Sequence, residues 1–457
     1  MTPAADHNPA DRILVDRILV DRVPGELRVA VMAAGRLVDL HIRRGDGSHA
    51  PGSIHLGRVA QVVAGFDGAF VDIGLEQAAF LRLSDVAAPP VPGDALVVQV
   101  VRAAGGEKGL GVTARPRLVG RLVDWTPGRP GLRAGRGIPL PADIALGEGE
   151  GAEIKAAAAT DRLADEIAGL RAEWAGLLRR AKDVIPPALL AAPPEPWMAP
   201  LLASPDAEVA FAERGAWQAA AATARARLPD FAPRLVLDPA GWRLFDEAGV
   251  EEQIAAALVR RVPLPGGGEL VIDEVEAATL VDIDAGSSRA APGALNRKAV
   301  PVLAAQLRLR AIGGQILVDF VREGGAKSRE ALAAALREAA AGDPDPIEIA
   351  GWSRLGLLEM TRRRSRPSLA SLLSGPARPE PSATARGYDA IRAAARAAAG
   401  PAVAAIVITA GRVVESVLRG PLAPDVAKLA AEAGIAVRVE SRADLGPFEF
   451  HAGPGRP

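Results

Sequence analysis

Three carboxylates raise the first question about this chain: Asp282, Asp284 and Asp319. Asp282 and Asp284 end the run TLVDID, and Asp319 ends a later apolar run, QILVD. Alternation in the first run points Val281 and Ile283 one way and both aspartates the other. Two carboxylates brought to one sheet end repel each other unless a cation sits between them. Oxygen ligands alone, in a chain with 0 cysteines and little histidine nearby, suit a hard ion such as Mg2+ or Mn2+ and exclude a thiolate zinc site. Strand-end aspartates are also common on solvated edges, and periodicity alone leaves both readings standing.

The elements that must position the pair can be read around it. Val271–Val275 and Thr279–Asp284 are β-rich runs on either side of Glu276-Ala277-Ala278, which predicts a hairpin. Ala304–Arg310 has helical composition, Gly313-Gly314 is expected to stop that helix, and Gln315–Phe320 follows as an apolar strand. A strand–helix–strand unit of this kind returns Asp319 beside Asp282 at one sheet end.

The wording of this stretch narrows the chemistry. AQLRLRAIGGQILVDF, preceded by a hairpin ending in VDIDAG, resembles the catalytic core of the RNase E/G family of endoribonucleases. The matching residues are Asp282, Asp284, Asn296, Gln306 to Arg310, Gly313-Gly314 and Asp319-Phe320. Further on, GWSRLGLLEMTRRRSRPSL is similar to the family's SRFGLLEMSRxR-x-x-PSL. The resemblance implies that Asp282 and Asp319 hold the metal, with Asn296 or Asp284 orienting one of them or a water. It implies a Mg2+-dependent cut (Mn2+ being an alternative ion) in single-stranded RNA that leaves 5′-phosphate and 3′-hydroxyl ends. Messenger RNA decay and ribosomal or transfer RNA maturation would be the settings. The basic run Arg362, Arg363, Arg364 and Arg366 reads as a phosphate-facing patch or as ordinary solvated surface.

The fold class expected is multi-domain α/β and α+β. Residues 53–118 are short strands with glycine at the bends, the pattern of a small Greek-key barrel, and resemble the family's inserted S1-like OB-fold. On that resemblance Phe70 and Phe80 would stack bases and Lys108 would contact phosphate, while burial in the core is the other reading for both rings. Phe80, ending its strand, is expected to be the better stacking surface. Around the barrel, 17–52 and 198–258 would form an RNase H-like subdomain, and 119–197 a degenerate 5′-sensor-like region. Residues 259–375 would be a DNase I-like catalytic subdomain, 376–387 a linker and 388–457 a small α+β C-terminal domain. Residues 1–16 are expected to be a disordered tail, with RILVD at Arg12–Asp16 repeated as Arg17–Asp21.

Local patterns fill in the remainder. ILVDRVPGELRVAVMAAGRLVDLHI predicts two or three strands with turns at Pro24-Gly25 and Ala34-Gly35. Asp161–Arg180 is an amphipathic helix with Leu163, Ile167, Leu170, Trp174 and Leu177 on one stripe. Helices are expected over 209–228, 250–260 and 329–341, and strands over 234–237 and 347–349. The tail predicts helix from Tyr388, strand 403–409, helix 424–434 and strand 435–440.

Composition sets outer bounds. A chain of 457 residues with 49% hydrophobic and 24% charged residues is globular and long enough for several subdomains. A net charge of −1 means that any RNA contact must be a local basic patch. No signal peptide is apparent and no apolar run could span a membrane, so the cytoplasm is the default. Three departures from the family pattern matter. The Cys-Pro-x-Cys zinc link is replaced by ASLLSGPARPEP, so self-association remains open through an apolar interface but not through zinc. Asp284 stands where the family has asparagine, and Arg322 where an acid is usual. In the sensor region Lys155-Ala156 occupies the place of an Arg-Thr pair, leaving Arg364 as the other basic position of that pocket. Rival readings are a catalytically weakened RNA-binding protein on the same scaffold and a DNA-directed metallonuclease.

Overall fold

The computed structural model describes residues 14–45, 47–63, 65, 67–102, 109–135, 138–141, 143–155, 158–375, 381–400 and 403–455. Lys108, the tail before residue 14 and most of the PARPEP stretch lie outside them. The chain divides into two units, Gly45–Met198 and the remainder on either side of it.

The flanking unit starts with three antiparallel strands, Arg17–Val23, Glu26–Ala33 and Arg36–Arg44. Their turns are Pro24-Gly25 and Ala34-Gly35, as the sequence predicts. Glu208–Phe211 and Leu235–Leu237 extend this sheet in parallel. The first of these corrects the helix expected from residue 209. Val209, Ala210 and Phe211 are fully enclosed between two strands, and the helix starts only at Arg214. Glu213 caps it by accepting from the Gly215 and Ala216 N–H groups.

Next comes a six-stranded mixed sheet in the order Arg261–Pro263, Glu269–Glu274, Thr279–Asp284, Gly314–Asp319, Leu358–Arg362, Ile347–Trp352. The helices Pro292–Leu309 and Ala326–Ala339 cover one face, burying Val281, Ile283, Ile316, Val318, Leu303, Leu307 and Leu336 in one core. The first helix is longer than the Ala304–Arg310 segment suggests, because Pro292 can open it at a position that needs no donor. Its stop also differs from expectation. Ala311 takes a left-handed φ of 52° and Ile312 N–H donates back to Leu307 O, ending the helix before the glycines. Gly313 and Gly314 serve the strand instead. A Cβ on Gly313 would meet the Arg363 carbonyl at 3.0 Å, and Gly314 sits at φ +94°.

The C-terminal part is a three-stranded sheet, Ala436–Ser441 and Phe450–Pro454 flanking Ala405–Ala410, packed on the helix Ala383–Ala398. It has a helix, Arg412–Arg419, and a last strand that the sequence pattern does not announce. Buried ions fasten it to the N-terminal hairpin: Arg392 donates to Asp21 and Glu26, Arg28 to Asp21 and Glu251, and Arg44 to Glu26.

In the Gly45–Met198 unit, Ile54–Val63, Gly68–Asp72, Ala79–Arg82, Gly111–Thr113 and Ala95–Arg102 close on themselves as a five-stranded barrel, consistent with an OB-like domain. A second, four-stranded sheet packs on the helix Thr160–Asp183, which buries Leu163, Ile167, Leu170 and Leu177. Among the described residues, no helix is long and apolar enough to cross a membrane.

Candidate active site

Asp282 and Asp319 are register partners in the parallel pairing of Thr279–Asp284 with Gly314–Asp319. Each follows a buried valine, Val281 or Val318, so strand alternation turns both carboxylates to the sheet face away from the helices. Both are exposed. Partial burial, then the neighbouring Asp319 and Asp284 carboxylates, raise the Asp282 pKa above the ordinary carboxylate value; Arg260 and Arg261 act against them. This is the electrostatic state of a pair that a cation would relieve.

Asp284 accepts from the Gly286 N–H at 2.9 Å and lies 3.9 Å from Arg261. No group of three or more His, Asp or Glu residues suited to holding a metal occurs among the described residues. Two carboxylates suit a hard cation that keeps most of its waters. They do not form the fuller cage that calcium or structural zinc requires.

Asn296 is fully buried on the Pro292–Leu309 helix. Its Nδ2 donates to Val321 O at 2.8 Å and its Oδ1 accepts from Val321 N–H at 3.1 Å. Both polar ends of the amide are thus engaged with backbone. Asn296 thereby fixes the chain two residues after Asp319. Phe320, between them, is buried with its ring 5.9 Å from Trp352, whose Nε1 donates to Arg329 O. The sequence reading missed Trp352; an aromatic closing the last strand of the sheet was its only signal.

The arginine run separates into different roles. Arg362 is only 2% exposed, paired with Asp343 and Asp345 and donating to Ile312 O, which corrects its assignment to a phosphate-facing patch. Burying a guanidinium requires such partners, and the GDPDP turn supplies them. Arg366 is held by Asp39 and Leu40 O. Arg363 and Arg364 remain exposed, Arg364 donating one N–H to Gly313 O. Arg322 is exposed beside the site.

In the barrel, Phe70 and Phe80 face each other across paired strands, ring centroids 5.9 Å apart and edge-on. Phe70 is 37% exposed and Phe80 half-buried over Gly68, reversing the expected ranking. A Cβ on Gly68 would fall 2.3 Å from the Phe80 ring, so that glycine makes the space the ring fills. Lys155 is committed internally, its ammonium 2.8 Å from Asp124 and donating to Gly120 O.

The sequence profile of the Ribonuclease E/G family matches residues 151–365. Ribonuclease G of Escherichia coli K12 is 31% identical over 391 residues, covering 77% of this chain and 80% of that protein. Ribonuclease G of Haemophilus influenzae is 29% identical over 395 residues, with the same shares. Ribonuclease E of Escherichia coli K12 is 30% identical over 392 residues, which are 75% of this chain and 36% of that longer protein.

Proposed function

We propose, since the chain belongs to the ribonuclease E/G family and is an endoribonuclease, that it cuts single-stranded RNA with Asp282 and Asp319 sharing one Mg2+. The observation that carries this reading is their pairing in register on an exposed sheet face. An ion bound there would polarise a phosphoryl oxygen and supply a water of lowered pKa. The protein's part is preorganisation. Strand pairing sets the carboxylate separation, and Asn296 and Phe320 hold the end of the second strand so that Asp319 cannot swing away. Phe70 and Phe80 offer bases a stacking surface, and Arg363 and Arg364 offer phosphates a charge.

In this reading residues 17–52 with 198–258 form the RNase H-like subdomain and 259–375 the DNase I-like one. The barrel is the S1-like RNA-binding domain, and 388–457 stand as a separate small domain. RNA processing or decay in the cytoplasm is the setting proposed.

Incubation of a fluorescent single-stranded RNA with protein, with Mg2+ or with EDTA, tests the proposal. Cleavage should require Mg2+. Asp282→Asn and Asp319→Asn should each abolish it, by at least roughly a hundredfold, while RNA affinity stays close to wild type, since a hard ion held by two carboxylates depends on both charges. Asp284→Asn should remain active. Near wild-type cutting by either of the first two variants would refute the metal assignment.

A further inference from the structure

The sheet face that carries the carboxylates continues away from them, and its next row has a different chemistry. Leu280 and Leu317 are register partners, and Leu317 is in turn opposite Glu359 on the adjacent strand. Each leucine lies two residues before an active-site aspartate, so all five side chains share one face. Leu280 is 44% exposed, Leu317 half-buried and Glu359 exposed. Among the described residues the Glu359 carboxylate makes no ion pair, whereas the nearby Asp273 and Glu269 are paired with Arg260 and Arg261.

We propose that Leu280, Leu317 and Glu359 form a subsite for the nucleobase next to the scissile phosphate, with Glu359 reading the base's N–H edge. This rests on the reading that Asp282 and Asp319 hold the cutting site. Two residues of strand span roughly 6.7 Å, a step that one nucleotide of extended single strand can make. The row cannot take a phosphate: a carboxylate repels it, and two leucines offer it no donor. It can take a base. The leucines form an apolar shelf for the flat ring, and the free carboxylate accepts hydrogen bonds from ring and amino N–H groups. Guanine presents two parallel N–H donors on its pairing edge, which match the two oxygens of one carboxylate. Uracil presents one. The exposed acidic row thus rejects backbone and selects base, with guanine preferred.

The test is cleavage of an oligonucleotide pool randomised at the two positions flanking one cut site, with the products sequenced. Wild-type protein should enrich guanine over uracil at one flanking position by at least roughly fivefold, the low end of what a bidentate base contact supplies. Glu359→Gln exchanges one acceptor for a donor, which suits adenine's ring nitrogen and amino group, so the preference should move from guanine to adenine. A residue that merely supported the fold would change the rate and leave the base profile alone. Leu280→Lys carries a second test at an exposed position: an ammonium on the shelf should attract phosphate and flatten the profile. If wild type cuts and both variants keep its base profile, the subsite is refuted and the nuclease reading stands. If wild type does not cut with Mg2+, the nuclease reading falls and the subsite falls with it.

Discussion

Asn296 shows how one buried amide can act on a site it does not enter. Its two hydrogen bonds hold Val321, and through Val321 the end of the strand that carries Asp319. Asn296→Ala leaves a buried N–H and C=O without partners, a cost of roughly 1–3 kcal/mol. The expected outcome is a lower denaturation midpoint together with a reduced kcat at unchanged RNA affinity. A variant that loses stability but keeps full kcat would separate the amide from positioning. Phe70 and Phe80 differ in another way. Phe70 is the more exposed ring, so Phe70→Ala should weaken RNA binding by about 1–3 kcal/mol with little loss of stability. Phe80→Ala should lose stability as well, because its ring fills the space over Gly68. Fluorescence anisotropy with thermal melting distinguishes the two.

At the scale of elements, the strand Arg36–Arg44 forms a titrating seam with the Pro292–Leu309 helix and the arginine run. Asp39 accepts from Arg366 and lies 3.5 Å from Arg308 and 3.7 Å from His41. Burial would raise the Asp39 pKa, but Arg366, His41 and Arg308 outweigh it and hold it at about 2. Burial, then Arg366, push His41 down to about 4 from 6.5, against the pull of Asp39. Unfolded His41 takes up a proton near pH 6.5 while the folded form resists until about 4, so stability falls as pH drops through that window. The slope is at most roughly 1.4 kcal/mol per pH unit. The Asp39 contribution is present above pH 3.8 and lost as pH falls toward 2. Urea midpoints at descending pH should show the first decline, and His41→Gln should flatten it. An unchanged slope in that variant would remove His41 as its source.

For the whole molecule, the C-terminal part is bound in by charge as much as by apolar packing. Arg392, 4% exposed, joins Asp21 and Glu26 from a helix more than three hundred and fifty residues further along the chain. Arg28 and Arg44 complete the network, and the Asp21 carboxyl is held at about 2, burial being outweighed by Arg28 and Arg392. Arg392→Met removes one partner and leaves two buried carboxylates under-compensated, at a cost of roughly 3–5 kcal/mol. Equilibrium unfolding should show that loss, and limited proteolysis should find residues 383–455 cleaved sooner. A loss under about 1 kcal/mol would mean that apolar packing alone holds this part.

Local periodicity determined what depends on neighbours in the chain. Alternation in TLVDID and QILVD, with a helix between them, was enough to bring Asp282 and Asp319 to one sheet end, because side-chain direction in a strand has a period of two. The absence of cysteine excluded a thiolate metal site whatever the fold. The five glycine-punctuated strands foretold a barrel, since closure needs bends at fixed places. Tertiary structure decided what depends on distant partners. Four arginines in one run look alike in sequence, yet Arg362 meets Asp343 and is buried, Arg366 meets Asp39 on the Arg36–Arg44 strand, and Arg363 and Arg364 stay exposed. Val209–Phe211, expected to open a helix, is a strand because Arg17–Val23 offers its edge there. Asn296 is bonded to the Val321 backbone, a partner that only the folded chain brings to it. A charged or amide side chain has no fixed fate of its own: the cost of its desolvation is offset or not by groups that only the folded chain brings near.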